Sequence, residues 1–174
     1  MRRIRLTLSA GLLATGTVGG AWAAFTDSES VGSNTFSTGT LDITASPATA
    51  LFNATNMSPG TVVHAALTVT NSGSLPLTYS LASAATDPDS KNLKGSLTAE
   101  ARVVSSTCSA STFDASATVA APPVTGLDSF VTGSGRSLAA SGSEVLCFRV
   151  TLPSSAGNAL QGATTVATFT LSAV

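Results

Sequence analysis

The side chains that could do chemistry are few and widely spaced. The 174-residue chain has one histidine, His64, two cysteines, Cys108 and Cys147, and nine carboxylates. A zinc peptidase of the HExxH type needs two histidines one helical turn apart and a glutamate base, and His64 has no such partner. Residue alternation puts His64 on the outer face of a strand, a solvated position where replacement by alanine should cost no more than about 0.5 kcal/mol. Asp87 and Asp89 share one polar loop and could touch a cation, but the segment does not reproduce a twelve-residue calcium loop. No GxSxG occurs, so a Ser-His-Asp triad would have to recruit His64 without local support. Gly133-Ser134-Gly135 lacks the lysine and the following helix of a phosphate cradle. The sequence therefore calls for no catalytic residue, no metal and no cofactor. A net charge of -1 gives no electrostatic grip on nucleic acid. Asn53-Ala54-Thr55 and Asn56-Met57-Ser58 match the glycosylation sequon, a frequent chance match in a chain with 26 serines and 26 threonines.

The cysteines carry the remaining chemistry, and its direction depends on compartment. Arg2, Arg3 and Arg5 precede an uncharged stretch from Leu6 to Trp22, closed by Ala21-Trp22-Ala23. This is the basic, apolar, small-x-small order of a cleavable signal peptide, with Ala21 and Ala23 at the specificity positions and Ala24 as the new N-terminus. The stretch is about 17 residues long and interrupted by glycines, short for a permanent span. Two cysteines in an exported chain predict a disulfide. It would close a loop of about 40 residues, for which the chain-entropy model gives about 4 kcal/mol.

The elements that must position these residues read as strands. Serine, threonine, glycine and valine are mediocre helix formers, and only 10% of the chain is charged. From Thr38 apolar residues recur every second position, with Leu41 and Ile43 facing one way until Pro47. Val63, Ala65, Leu67 and Val69 share one face of the next strand, which ends at the turn Asn71-Ser72-Gly73. Leu75, Leu77, Tyr79 and Leu81 alternate next, with Pro76 marking a start or an edge. Leu97, Ala99, Ala101 and Val103 form another strand, as do Leu146, Phe148, Val150 and Leu152, and finally Ala167, Phe169 and Leu171. Cys147 lies opposite in phase to Leu146 and Phe148 and so belongs on the outer face. Between residues 105 and 143 the pattern suggests short strands near Thr112–Val119 and then a long loop around Pro122-Pro123. Seven or eight short strands without crossover helices predict an all-β protein, one antiparallel β-sandwich of jelly-roll or Ig-like type. The expected division is a signal peptide over 1–23, an N-terminal segment over 24–36, and the sandwich over 37–174.

Three sequence blocks carry a family resemblance. The junction from Gly19 to Ser30, followed by Asn34 to Ile43, is the first. Asn56-Met57-Ser58-Pro59-Gly60 leading to Asn71-Ser72-Gly73-Ser74-Leu75 is the second. Asn158-Ala159-Leu160-Gln161-Gly162 leading to Ala167–Ala173 is the third. Together they resemble the TasA/camelysin family of secreted Gram-positive proteins. The resemblance implies processing by a SipW-type signal peptidase and a sandwich that assembles into extracellular biofilm-matrix fibres. It also implies that Ala24–Phe36, with Phe25, Val31 and Phe36 as apolar positions, acts as a donor strand completing the sheet of the next copy. The partners implied are other copies of the chain, the signal peptidase, and cell wall or other matrix proteins. Two rival readings are a camelysin-like secreted metalloendopeptidase and a monomeric surface adhesin or wall-binding module. The exported chain should begin at Ala24; N-terminal sequencing of secreted material checks this, and a start at Met1 or well past Phe36 contradicts it.

Overall fold

A computed structural model describes residues 37–105, 107–132 and 135–174. The expected leader, the expected cleavage residues Ala21, Ala23 and Ala24, and the expected donor positions Ala24, Phe25, Val31 and Phe36 lie outside the described residues.

Eight strands build two antiparallel sheets, as alternation requires. They are β1 (Ile43–Ser46), β2 (Val62–Asn71), β3 (Leu77–Thr86), β4 (Thr98–Val104), β5 (Val119–Thr125), β6 (Arg136–Leu138), β7 (Ser143–Thr151) and β8 (Val166–Ala173). Two short helices intervene, α1 (Leu93–Ser96) and α2 (Ala110–Ala115). One sheet has five strands in the order β1-β2-β7-β4-β5; the other has three, β6-β3-β8. The alternating apolar positions meet between them: Leu67, Val69, Leu77, Tyr79, Leu81, Leu146, Phe148 and Val150 are buried. Phe148 of β7 and Phe169 of β8 pack at 5.4 Å between ring centroids, and Phe130 closes the cluster at 5.4 Å from Phe148.

Two polar networks fix how the sheets meet. Asn71 is fully buried, and its Nδ2 donates to the carbonyls of Leu75, Leu138 and Ala139 while its Oδ1 accepts from Gly73 N–H. The residue that ends β2 thus ties its own turn to the end of β6. Gly73 has no room for a side chain, since a Cβ there would stand 2.4 Å from the Thr40 carbonyl oxygen. Tyr79 of β3 donates to Glu144 of β7 at 2.6 Å, and Arg136 of β6 grips the same carboxylate at 2.8 and 2.6 Å. Burial pushes the Glu144 carboxyl up, but the bonds from Arg136 and Tyr79 outweigh it and hold the group below its ordinary value.

The structure departs from the sequence reading at named places. The first strand starts at Ile43, and Leu41 is 52% exposed. Leu75 lies outside β3 and is exposed; the buried alternation starts after Pro76. Short strands are expected near Thr112–Val119, but Ala110–Ala115 form α2, because Ser109 and Thr112 make a reciprocal capping box, and strand begins only at Val119. Pro122-Pro123, expected in a loop, lie inside β5, an edge strand with two register shifts against β4. An edge tolerates residues that cannot donate to a ladder.

Cys147 does point to the outer face, yet it is fully buried. Helix α2 covers it, and Val104, Phe113 and Cys147 form a second small core with Cys108 and Val145 packed against them. A disulfide joins Cys108 to Cys147. It anchors the segment leading into a six-residue helix, too short to be stable alone. Replacing both cysteines by alanine should cost up to about 4 kcal/mol in denaturant unfolding, and the amides of α2 should lose hydrogen-exchange protection first.

Candidate functional site

Two surfaces of the sandwich concentrate its unusual features. The first is the edge of the smaller sheet. Four strands are terminal in the two sheets, and three are poor templates for pairing. β1 has four residues and β6 three, while β5 carries two prolines and two register shifts. β8 differs: eight residues, Val-Ala-Thr-Phe-Thr-Leu-Ser-Ala, with no charge and no proline. It pairs with β3 in unbroken register from Val166 to Ala173. Its other edge pairs with no described residue. A long, flat, uncharged edge is a ready acceptor for another strand. Beside it lies an apolar cavity of about 530 Å³ between the sheets, lined among others by Phe52, Met57, Val63, Leu152, Leu160 and Phe169. Ala167, Phe169 and Leu171, the inward side of β8, are only half-buried. The core is thus incompletely covered along this strand.

The second surface is the outer face of the larger sheet, beneath α2. His64 on β2, Arg149 on β7 and Glu100 on β4 are register partners and form one row across three strands. Glu100 is 4% exposed, and both its oxygens are engaged: Arg102 Nε donates to Oε1 at 2.9 Å and Arg149 Nη2 to Oε2 at 2.7 Å. Arg149 also donates to Asp114 at 3.1 Å. The two guanidinium groups lie over the Phe113 ring at 4.7 and 4.5 Å, and the His64 ring meets it edge-on at 5.6 Å. A cavity of about 500 Å³ opens over His64, Glu100, Asp114 and Arg149. His64 is therefore half-buried, not solvated as its strand phase suggests, because α2 packs over that phase. Its Nε2 is buried and has no hydrogen-bond partner among the described residues. Burial, then the neighbouring Arg149 charge, lowers the His64 pKa, partly opposed by Asp114.

This arrangement pins a helix to the outer face of the sheet. A cation approaching His64 would meet Arg149, and the carboxylates nearby already face arginines. Among the described residues no group of three or more His, Cys, Asp or Glu side chains could hold a metal ion. Asp87 and Asp89 are likewise occupied. Asp87 accepts from Lys94 N–H, and Asp89 accepts from Lys91 N–H and from Thr164, which lowers the Asp89 pKa. Sequence reasoning missed the burial of Glu100 and the cover over His64, since neither shows in strand phase alone. The open β8 edge had a legible signal, the run from Val166 to Ala173 without charge or proline.

An antiparallel sandwich with one long edge that no described residue pairs, beside an apolar groove, defines the class of the fold and its site. A family model described as camelysin metallo-endopeptidase matches residues 2–100. That is more than half of the chain, and the protein belongs to the camelysin family. No curated protein matches the chain.

The half-buried His64 imposes a pH dependence with a definite sign. Its folded pKa lies below the ordinary value near 6.5, so the unfolded chain takes up the proton first. Stability from neutral His64 should be complete above about pH 6.5 and should fall as pH drops towards the folded pKa. Urea midpoints at pH 7.5 and pH 5 should differ for the native chain, and His64→Leu should flatten that difference. The lowered carboxylates Glu144, Asp89 and Asp128 lose their contribution only at lower pH, below their ordinary values.

Proposed function

We propose that this camelysin-family protein is an exported, non-catalytic structural subunit that joins copies of itself into extracellular fibres by strand addition. The donor is Ala24–Phe36 of one copy, and the acceptor is the open edge of β8 in the next. The observation that carries this reading is β8: an eight-residue edge without charge, proline or irregularity, beside a half-filled apolar groove. Strand addition gives affinity through backbone hydrogen bonds and register through alternate side chains. The donor offers thirteen residues to an eight-residue edge, with Phe25 and Val31 in the same phase. Because donor and acceptor are different surfaces, the contact is heterologous and propagates. Cleavage after Ala23 by a SipW-type signal peptidase would free the donor's N-terminus outside a Gram-positive cell. Cell wall or other matrix components are further partners on this reading.

Purified chain beginning at Ala24 should form elongated oligomers by size-exclusion chromatography with light scattering, visible as fibres by electron microscopy. Deleting Ala24–Ser33 should leave a folded monomer. Thr168→Lys with Thr170→Lys, two outward positions of β8, should also leave a folded monomer, because edge charges block pairing. If all three proteins are monomeric at high concentration, strand addition is wrong and a surface-module role replaces it. Casein hydrolysis by the pure protein, abolished by a chelator, would establish the peptidase instead.

A further inference from the structure

The connection from β1 to β2 has a construction unlike any other in the fold. Its ends are fixed. Ser46 pairs with Thr68 at the end of β1, and before β2 Ser58 and Thr61 are hydrogen-bonded to each other while Gly60 and Thr61 are hydrogen-bonded to Leu152. Between them, Pro47–Met57 make no hydrogen bond to any other described residue. This strap nevertheless lies on the core. Every residue from Ala50 to Met57 lines the groove beside β8. Leu51, Phe52 and Met57 are half-buried, while Asn53–Asn56 are exposed. The Phe52 ring stands 6.2 Å from both Phe148 and Phe169.

A strand added to β8 would place every second side chain on the same face as Ala167, Phe169 and Leu171. That is the face where Phe52 sits. The two occupants are unequal. Among the described residues the strap is held by apolar side chains, so lifting it breaks no backbone hydrogen bond to the described fold. An incoming strand supplies apolar side chains and a backbone ladder as well. We propose that the strap Pro47–Met57 is a built-in plug: it keeps Phe52 in the groove while the subunit is alone and is expelled when a strand adds to β8. This rests on the strand-addition reading of β8. The plug shields Phe169 and Phe148 in the monomer and makes assembly wait for its release.

The exported chain has no tryptophan, since Trp22 lies in the leader. Phe52→Trp therefore reports on the strap alone. In chain beginning at Ala24, the emission of this variant should shift to the red and become more accessible to acrylamide as oligomers form. Phe52→Ala should assemble with a shorter lag than the native sequence. Oligomers of the Phe52→Trp variant whose emission stays unchanged or moves to the blue would overturn the plug while leaving strand addition intact. A longer lag for Phe52→Ala would overturn it too, whatever the tryptophan variant does. No oligomer from the native sequence would sink the strand-addition reading itself, and the plug with it.

Discussion

A sheet of three strands has to cover a sheet of five. With strands about 4.8 Å apart, the smaller layer falls short by roughly two strand widths. Irregular segments cover what the missing strands leave open. Along β3, residues 130–132 extend the work of the short β6: Val131 bridges Ala82, and Thr132 exchanges bonds with Leu81. No comparable pairing among the described residues lies along β8. There the cover is the strap and the 3₁₀ turn at Asn158–Leu160, both held by side chains. The same mismatch explains why Phe169 is half-buried while Phe130 and Phe148, under the covered side, are fully buried.

The outer face of the larger sheet solves a different problem. Glu100 is buried among two arginines, and removing a charge from water is repaid only by close, complete pairing. Here it is complete, since Arg102 and Arg149 engage both oxygens. The guanidiniums then reach past the sheet, Arg102 to the carbonyls of Phe113 and Ser116 and Arg149 to Asp114. A six-residue helix with one buried side chain, Phe113, cannot hold itself. It is held by a disulfide, two cation–π contacts and this ion-pair row. His64 completes the seat as a neutral ring. Its Nε2 has no hydrogen-bond partner among the described residues, and the ring's contribution here is packing against Phe113.

What the sequence makes legible follows from period two. β2, β3, β4, β7 and β8 are readable because their inward residues alternate without interruption, and the cysteine pair is readable from its count. The first two blocks of the family resemblance fall within the match over 2–100, and the third, at Asn158–Ala173, lies outside it. The failures share a cause: a short stretch whose state is decided by something distant. The segment from Thr112 reads as strand because threonine and serine are weak helix formers, and the capping box at Ser109 with the burial of Phe113 decides for helix. Pro122 and Pro123 read as loop because proline is excluded from central strands, but β5 is an edge. His64 has the phase of a solvated residue, and only a helix forty-six positions later covers it. Phase tells which side of a sheet a residue takes; it does not tell whether that side is empty.

Charge narrows what the remaining surface can recognise. Five basic residues lie beyond residue 23: Lys91, Lys94, Arg102, Arg136 and Arg149. Each has an internal acceptor. Lys91 donates to the Gln161 carbonyl and Lys94 to Asp128; Arg102 and Arg149 hold Glu100, and Arg136 holds Glu144. A module that bound anionic polymers of a cell surface would have to break one of these pairs to find a cation. Contacts between copies face the same shortage, and nine acidic residues against five basic ones make the copies mildly repulsive at long range. An attraction that overcomes this has to be short-ranged and indifferent to charge. Backbone hydrogen bonding along an uncharged edge and apolar burial in the adjoining groove are both, and β8 is where the described fold offers the two together.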